Sequence, residues 1–157
     1  MRALAALLLL PLAACGLQPV YGGGPSGVSA TLLRSIGVDP IPQRAGFLMH
    51  GALTDRLGGS GPANYRLRVQ LDDEITGFGT RRDDSVVRER RTLRARYQLV
   101  DATGQVVLDQ TAGSDAGVEV VQSEYAVIAA ENTALENLVE QVADQIVARL
   151  ARFQPTP

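Results

Sequence analysis

Six arginines hold the spacing in this chain that most suggests chemistry. Arg88, Arg90, Arg94 and Arg96 fall on even positions of one stretch, and Arg66 and Arg68 on even positions of another. Residues two apart in a strand share a face, so each set would project from one side of a sheet. The planar guanidinium fork suits phosphate and carboxylate groups, often through two hydrogen bonds at once. Like charges gathered on one face repel unless an anion or an acidic surface meets them. Two readings stay open: the face binds an external anion, or its arginines are solvated and paired with Glu89 and the acids of neighbouring loops.

Other reactive residue types form no recognisable catalytic pattern. His50 is the sole histidine and sits in a glycine-interrupted segment. There is no GxSxG elbow, no HExxH and no metal-spaced cluster of cysteine and histidine. Asp72-Asp73-Glu74 and Asp83-Asp84 read as solvated loops beside arginines. Gly77-Phe78-Gly79 does not open a helix after a Rossmann strand. The expectation is a binding or scaffold protein, not an enzyme, with no metal.

The single cysteine points to an anchor. Residues 1–14 read as a signal peptide, with Arg2, an apolar run from Ala3 to Leu10, and small residues before Cys15. Leu12-Ala13-Ala14-Cys15 resembles a bacterial lipobox, which implies a diacylglycerol on the Cys15 thiol and an acyl chain on its new amine, the only cofactor-like groups expected. Gly16, not aspartate, follows, which by resemblance to lipoprotein sorting signals points to the outer membrane. Nucleic acid is then excluded by compartment. The remaining anions are lipid or lipopolysaccharide phosphates and the acidic walls of other proteins.

The positioning elements follow from periodicity. Residues 15–30 carry the anchor and a Gly/Pro-rich linker. Leu32 to Ile41 predicts a short strand, and Gln43 to Leu57 a helix weakened by Gly46 and Gly51. Tyr65, Leu67, Val69 and Leu71 alternate with polar residues, as do Leu93, Ala95, Tyr97 and Leu99 within Val86–Val100. Residues 77–85 read as the loop between these two strands. A turn at 101–104 leads to a strand over Gln105–Thr111. Ser123 is placed to cap a long helix to about Phe153, with an apolar stripe from Ile128 through Leu135, Val142, Ile146 and Leu150. The expected architecture is α+β: a mixed, mostly antiparallel four-stranded sheet in the order β-α-β-β-β-α, with two helices on one face. The domain is expected over 31–154, with a tail at 155–157.

Charge is unevenly spread. All fifteen basic residues are arginine. Nine arginines face six acids between Arg66 and Arg96, whereas two face nine from Tyr97 onward. Against this background, Cys15-Gly16-Leu17-Gln18-Pro19-Val20-Tyr21-Gly22 resembles the start of lipopolysaccharide-assembly lipoproteins of the LptE type. The resemblance continues in Gly77-Phe78-Gly79 with Arg82-Asp83-Asp84-Ser85, in Tyr97-Gln98-Leu99-Val100-Asp101, and in Ser123-Glu124-Tyr125-Ala126 with Ala130-Glu131-Asn132. It implies a plug inside an LptD-type outer-membrane β-barrel that helps pass lipopolysaccharide to the cell surface, with the six arginines as candidate contacts. The lysines that some members use toward lipopolysaccharide have no counterpart here. The rival readings are an auxiliary lipoprotein of a phospholipid-transport ABC system and a pilotin that escorts a secretin.

Overall fold

Alternation decides which face of each strand is buried. In the computed structural model, which describes residues 28–59, 62–80 and 86–154, the elements are α1 (Val28–Arg34), β1 (Ile36–Val38), α2 (Gln43–Leu57), β2 (Tyr65–Thr80), β3 (Val86–Asp101), β4 (Val106–Glu119) and α3 (Glu124–Leu150). The strands form one mixed sheet in the order β1-β2-β3-β4. β1 runs parallel to β2, and the other neighbours are antiparallel. Leu67, Val69, Leu93, Ala95, Tyr97 and Leu99 point to one face and are buried under α2 and α3. The α+β class, the β-α-β-β-β-α order from β1 onward and the two helices on one face are as the periodicity predicts.

Several boundaries differ, each for a local reason. A helix, α1, occupies Val28–Arg34, where the linker and the start of a strand were expected. Ala30, Leu32 and Leu33 suit a helix, and Leu33 is buried. The helix thus starts three residues inside the stretch assigned to the linker. β1 keeps only Ile36–Val38 of residues 32–41, because Pro40 and Pro42 have no N–H to extend the ladder. The last bond on that side runs from Asp39 N–H to the Leu67 carbonyl, at 2.9 Å.

β2 and β3 are each sixteen residues long and pair without a register break from Tyr65↔Asp101 to Thr80↔Val86. Asp72-Asp73-Glu74 and Gly77-Phe78-Gly79 are therefore strand, not loop. Two of the acids meet arginines there: Arg91 grips the Asp73 carboxylate, and Asp72 stands across from Arg94. β4 likewise continues to Glu119, past the expected Thr111. The β3–β4 turn is fastened by the Asp101 carboxylate, which accepts hydrogen bonds from Thr103 N–H (2.8 Å), Thr103 O–H (2.7 Å) and Gln105 N–H (2.9 Å). Residues 1–27, 60–61, 81–85 and 155–157, with the signal peptide, Cys15, most of the linker, the Arg82–Ser85 motif and the tail, lie outside the described residues.

α3 covers β3 and β4 with Leu135, Leu138, Val142, Ile146 and Leu150, all essentially shut off from solvent. Burying one such side chain contributes about 1.5–3 kcal/mol. Ile128, expected in the same stripe, is 47% exposed because the first turns of α3 run past the core. Ser123 occupies the N-cap position, yet its side chain makes no capping bond; its carbonyl accepts the Ala126 and Val127 N–H groups. α2 is clasped to α3 at both ends, by Arg44 on Asn132 and by Arg56 on Glu140 and Asp144 (2.6 Å to Asp144). Gly46 is required by packing: a Cβ there would lie 2.6 Å from the Ile41 carbonyl oxygen. Among the described residues, no helix is long and apolar enough to cross a membrane.

Candidate functional site

The face of the sheet turned away from the helices holds all six arginines predicted for it. Even positions of β2 and β3 point there, which places Arg66, Arg68, Arg88, Arg90, Arg94 and Arg96 together. The even positions of β2 also bring Asp72 and Glu74, and β4 brings Asp109, Asp115 and Glu119. The face is consequently striped. A basic β3 row runs between two partly acidic rows.

The stripes sort the arginines into matched and unmatched. Arg66 donates two hydrogen bonds to the Asp39 carboxylate, at 3.1 and 3.3 Å, and Arg68 approaches the same carboxylate at 3.5 Å. Arg96 grips Asp109 bidentately, at 3.1 and 2.7 Å, with Gln98 adding a bond at 2.8 Å. The Arg96 fork, helped by Gln98, draws the Asp109 carboxyl down to about 2. Arg90 lies 3.8 Å from Asp115, with its guanidinium carbon 5.2 Å from the centre of the Phe78 ring. Arg88 and Arg94 have no ion-pair partner among the described residues. The acids that do the pairing are Asp39, Asp109 and Asp115, whereas Glu89 points to the opposite face.

Glycine gives Arg94 and Arg90 room. Gly113 and Gly117 of β4 stand directly across from Arg94 and Arg90. A Cβ on Gly113 would crowd the Leu93 carbonyl oxygen at 3.2 Å and the Arg94 side chain at 3.4 Å. Gln70, Asp72, Arg94, Arg96 and Thr111 line a shallow depression of about 390 Å³. Arg94 can thus meet an incoming anion without first leaving a carboxylate.

A seventh arginine escaped the even-position reading. Arg91, on an odd position, turns to the helix side, where its side chain is 11% exposed. It grips Asp73 through two bonds, at 2.8 and 2.6 Å, and donates a third to the Glu131 carbonyl of α3 at 2.9 Å. Beside it, Glu89 Oε2 is sealed from solvent, with no hydrogen-bond partner among the described residues. Desolvation, with the Glu131 carboxyl close by, raises the Glu89 pKa. Odd parity within the arginine run was the signal for this second cluster. His50 takes part in no such arrangement, and no three potential metal ligands come together among the described residues.

Comparison with known proteins follows the fold. A candidate lipoprotein of Caulobacter crescentus CB15 is similar at 22% identity, over 78% of this chain and 92% of its own, with a TM-score of 0.65. The minor lipoprotein of Acinetobacter baumannii is similar at 14% identity, over 76% and 96%, with a TM-score of 0.59. Rare lipoprotein B of Shewanella oneidensis is similar at 13% identity, over 74% and 92%, with a TM-score of 0.58. At such identities the likeness concerns the fold. No curated protein sequence matches. The family model described as LptE, Lipopolysaccharide-assembly, matches residues 33–150, from α1 to the last residue of α3. With that match spanning the sheet and both covering helices, the chain belongs to the LptE lipopolysaccharide-assembly family.

Proposed function

We propose that this chain is a lipid-anchored assembly protein of the outer membrane that seats in an LptD-type β-barrel and offers Arg88, Arg90 and Arg94 to the phosphates of lipopolysaccharide in transit. The observation that carries this reading is a pair of guanidinium groups, Arg88 and Arg94, that have no ion-pair partner among the described residues and lie on the exposed sheet face of an LptE-family fold. Arg90 joins them because its 3.8 Å contact to Asp115 is loose and open to exchange. Arg96 is paired with Asp109, and Arg66 and Arg68 share the one carboxylate of Asp39, so these three are engaged within the sheet. Acyl chains on Cys15 hold the protein at the bilayer, since two or more chains give stable attachment. The role is binding and positioning, with no catalytic step. Family membership favours lipopolysaccharide assembly over phospholipid transport or secretin piloting.

Paired substitutions test the sorting. Charge-assisted bonds contribute about 1.5–3 kcal/mol when sheltered and less when exposed. Arg88→Ala with Arg94→Ala should therefore weaken lipopolysaccharide binding about tenfold and flatten its salt dependence. Arg66→Ala with Arg68→Ala should leave affinity near that of the unaltered protein. Equal losses from both pairs would mean that the face acts through bulk charge, and no loss from either would remove lipopolysaccharide from this face.

A further inference from the structure

The two edges of the sheet are finished differently. Leu67 turns its carbonyl outward to β1, so the odd-numbered backbone groups of β2 face away from β3 along its whole unbroken length. β1 ends at Val38, opposite Leu67, and no described strand continues beside β2. From Val69 to Gly77, each odd residue thus presents its N–H and C=O at an open edge. On β4 the outward groups are those of odd residues too, yet the middle is shut. The Gln145 side-chain amide accepts from Gly113 N–H at 3.4 Å and donates to Gly113 C=O at 3.3 Å, as a neighbouring strand would. Ser114 and Gln141 add a bond of 2.7 Å beside it. Long bare edges invite pairing unless they are blocked.

Side chains along the β2 edge indicate what could pair there. Asp72 and Glu74 stand next to one another on the open face, and neither has an ion-pair or hydrogen-bond partner among the described residues. On the helix side Leu71 is half-buried and Ile75 is 41% exposed. A second copy of this chain is a poor match, because antiparallel pairing centred on Glu74 sets carboxylate against carboxylate.

We infer that the β2 edge from Val69 to Gly77 accepts an extended segment of a partner protein by strand addition, the segment alternating basic residues toward Asp72 and Glu74 with apolar residues toward Leu71 and Ile75. Backbone pairing supplies the attachment, and the alternating side chains set which segments fit. This edge adjoins the arginines offered to phosphate, since Asp72 stands across from Arg94 in the same depression, but its test does not use lipopolysaccharide.

The probe is a synthetic decapeptide alternating lysine and valine, compared with one alternating glutamate and valine. In amide hydrogen exchange on the full chain, the lysine peptide should slow exchange at Leu71, Asp73 and Ile75 about tenfold, with the glutamate peptide inactive. Ile75→Pro deletes an outward N–H without touching the β2–β3 ladder, a position where an edge strand tolerates proline. It should abolish the protection. Should that variant unfold, Asp72→Lys with Glu74→Lys serves instead and should reverse the preference to the glutamate peptide. Protection confined to β4, equal effects of both peptides, retained protection in Ile75→Pro, or protection that appears through self-association without peptide would each overturn the assignment.

Discussion

Arg96 sets how Asp109 titrates. Three hydrogen bonds from Arg96 and Gln98 favour its charged form, so the carboxyl sits at about 2 against an ordinary value of about 3.9. A carboxylate depressed by folding adds stability that is complete above its unfolded value and is lost as pH falls through the folded one. The contribution of this pair should fade between about pH 4 and pH 2. An NMR titration of the Asp109 side chain should show a midpoint near 2, returning toward about 3.9 in Arg96→Ala. An ordinary midpoint in the unaltered protein would mean that the fork does not persist in solution. Glu89 behaves in the opposite sense. Burial beside Glu131 raises its pKa, so its ionisation costs the folded state stability as pH rises. Glu89→Gln should raise the melting temperature at neutral pH, and the gain should shrink on acidification as the native Glu89 takes up its proton.

At the scale of elements, α2 shows why two identical residues in one helix are not equivalent. Both Gly46 and Gly51 lower helix propensity, and alanine would gain about 0.5–1 kcal/mol at either site on that ground alone. At Gly51 nothing lies within 4 Å of an added Cβ, so Gly51→Ala should stabilise by about that amount. At Gly46 the Cβ would meet the Ile41 backbone at 2.6 Å, in the segment between β1 and α2. Overpacking of that kind costs about 1–3 kcal/mol, so Gly46→Ala should be net destabilising. Denaturant midpoints of the two variants, moving in opposite directions, check both. A stabilised Gly46→Ala would show that the 40–43 segment yields freely.

For the whole molecule, the helices and sheet enclose their own core, and the exposed sheet face is charged and striped. Such a surface suits the polar interior of a barrel, where lumen-facing positions are hydrophilic. Photo-crosslinkers at Arg68, Gln98 and Thr111, all on that face, should capture one barrel protein in living cells. Mass spectrometry of the same material should find the mature chain beginning at an acylated Cys15. Crosslinks to phospholipid alone, or to an inner-membrane permease, would contradict the seating, and an unmodified N-terminus cut elsewhere would remove the anchor.

Period-two and helical patterning in the sequence determined the class of fold, the face each arginine shares, and the span of α2, because those depend on local side-chain alternation. The long extensions of β2 and β4 were not legible, since acids and glycines are poor strand formers alone and are held there by residue-by-residue pairing with β3. α1 was missed because seven residues carry too little periodicity to separate helix from strand. Which arginines stay unmatched was decided only by tertiary structure. Asp39 reaches Arg66 and Arg68 from the end of β1, and Asp109 reaches Arg96 from β4, contacts between residues 13 to 29 apart in sequence. A run of like charges in a sequence records the side chains but not their distant partners, and in an ion pair the partner sets what remains free to bind.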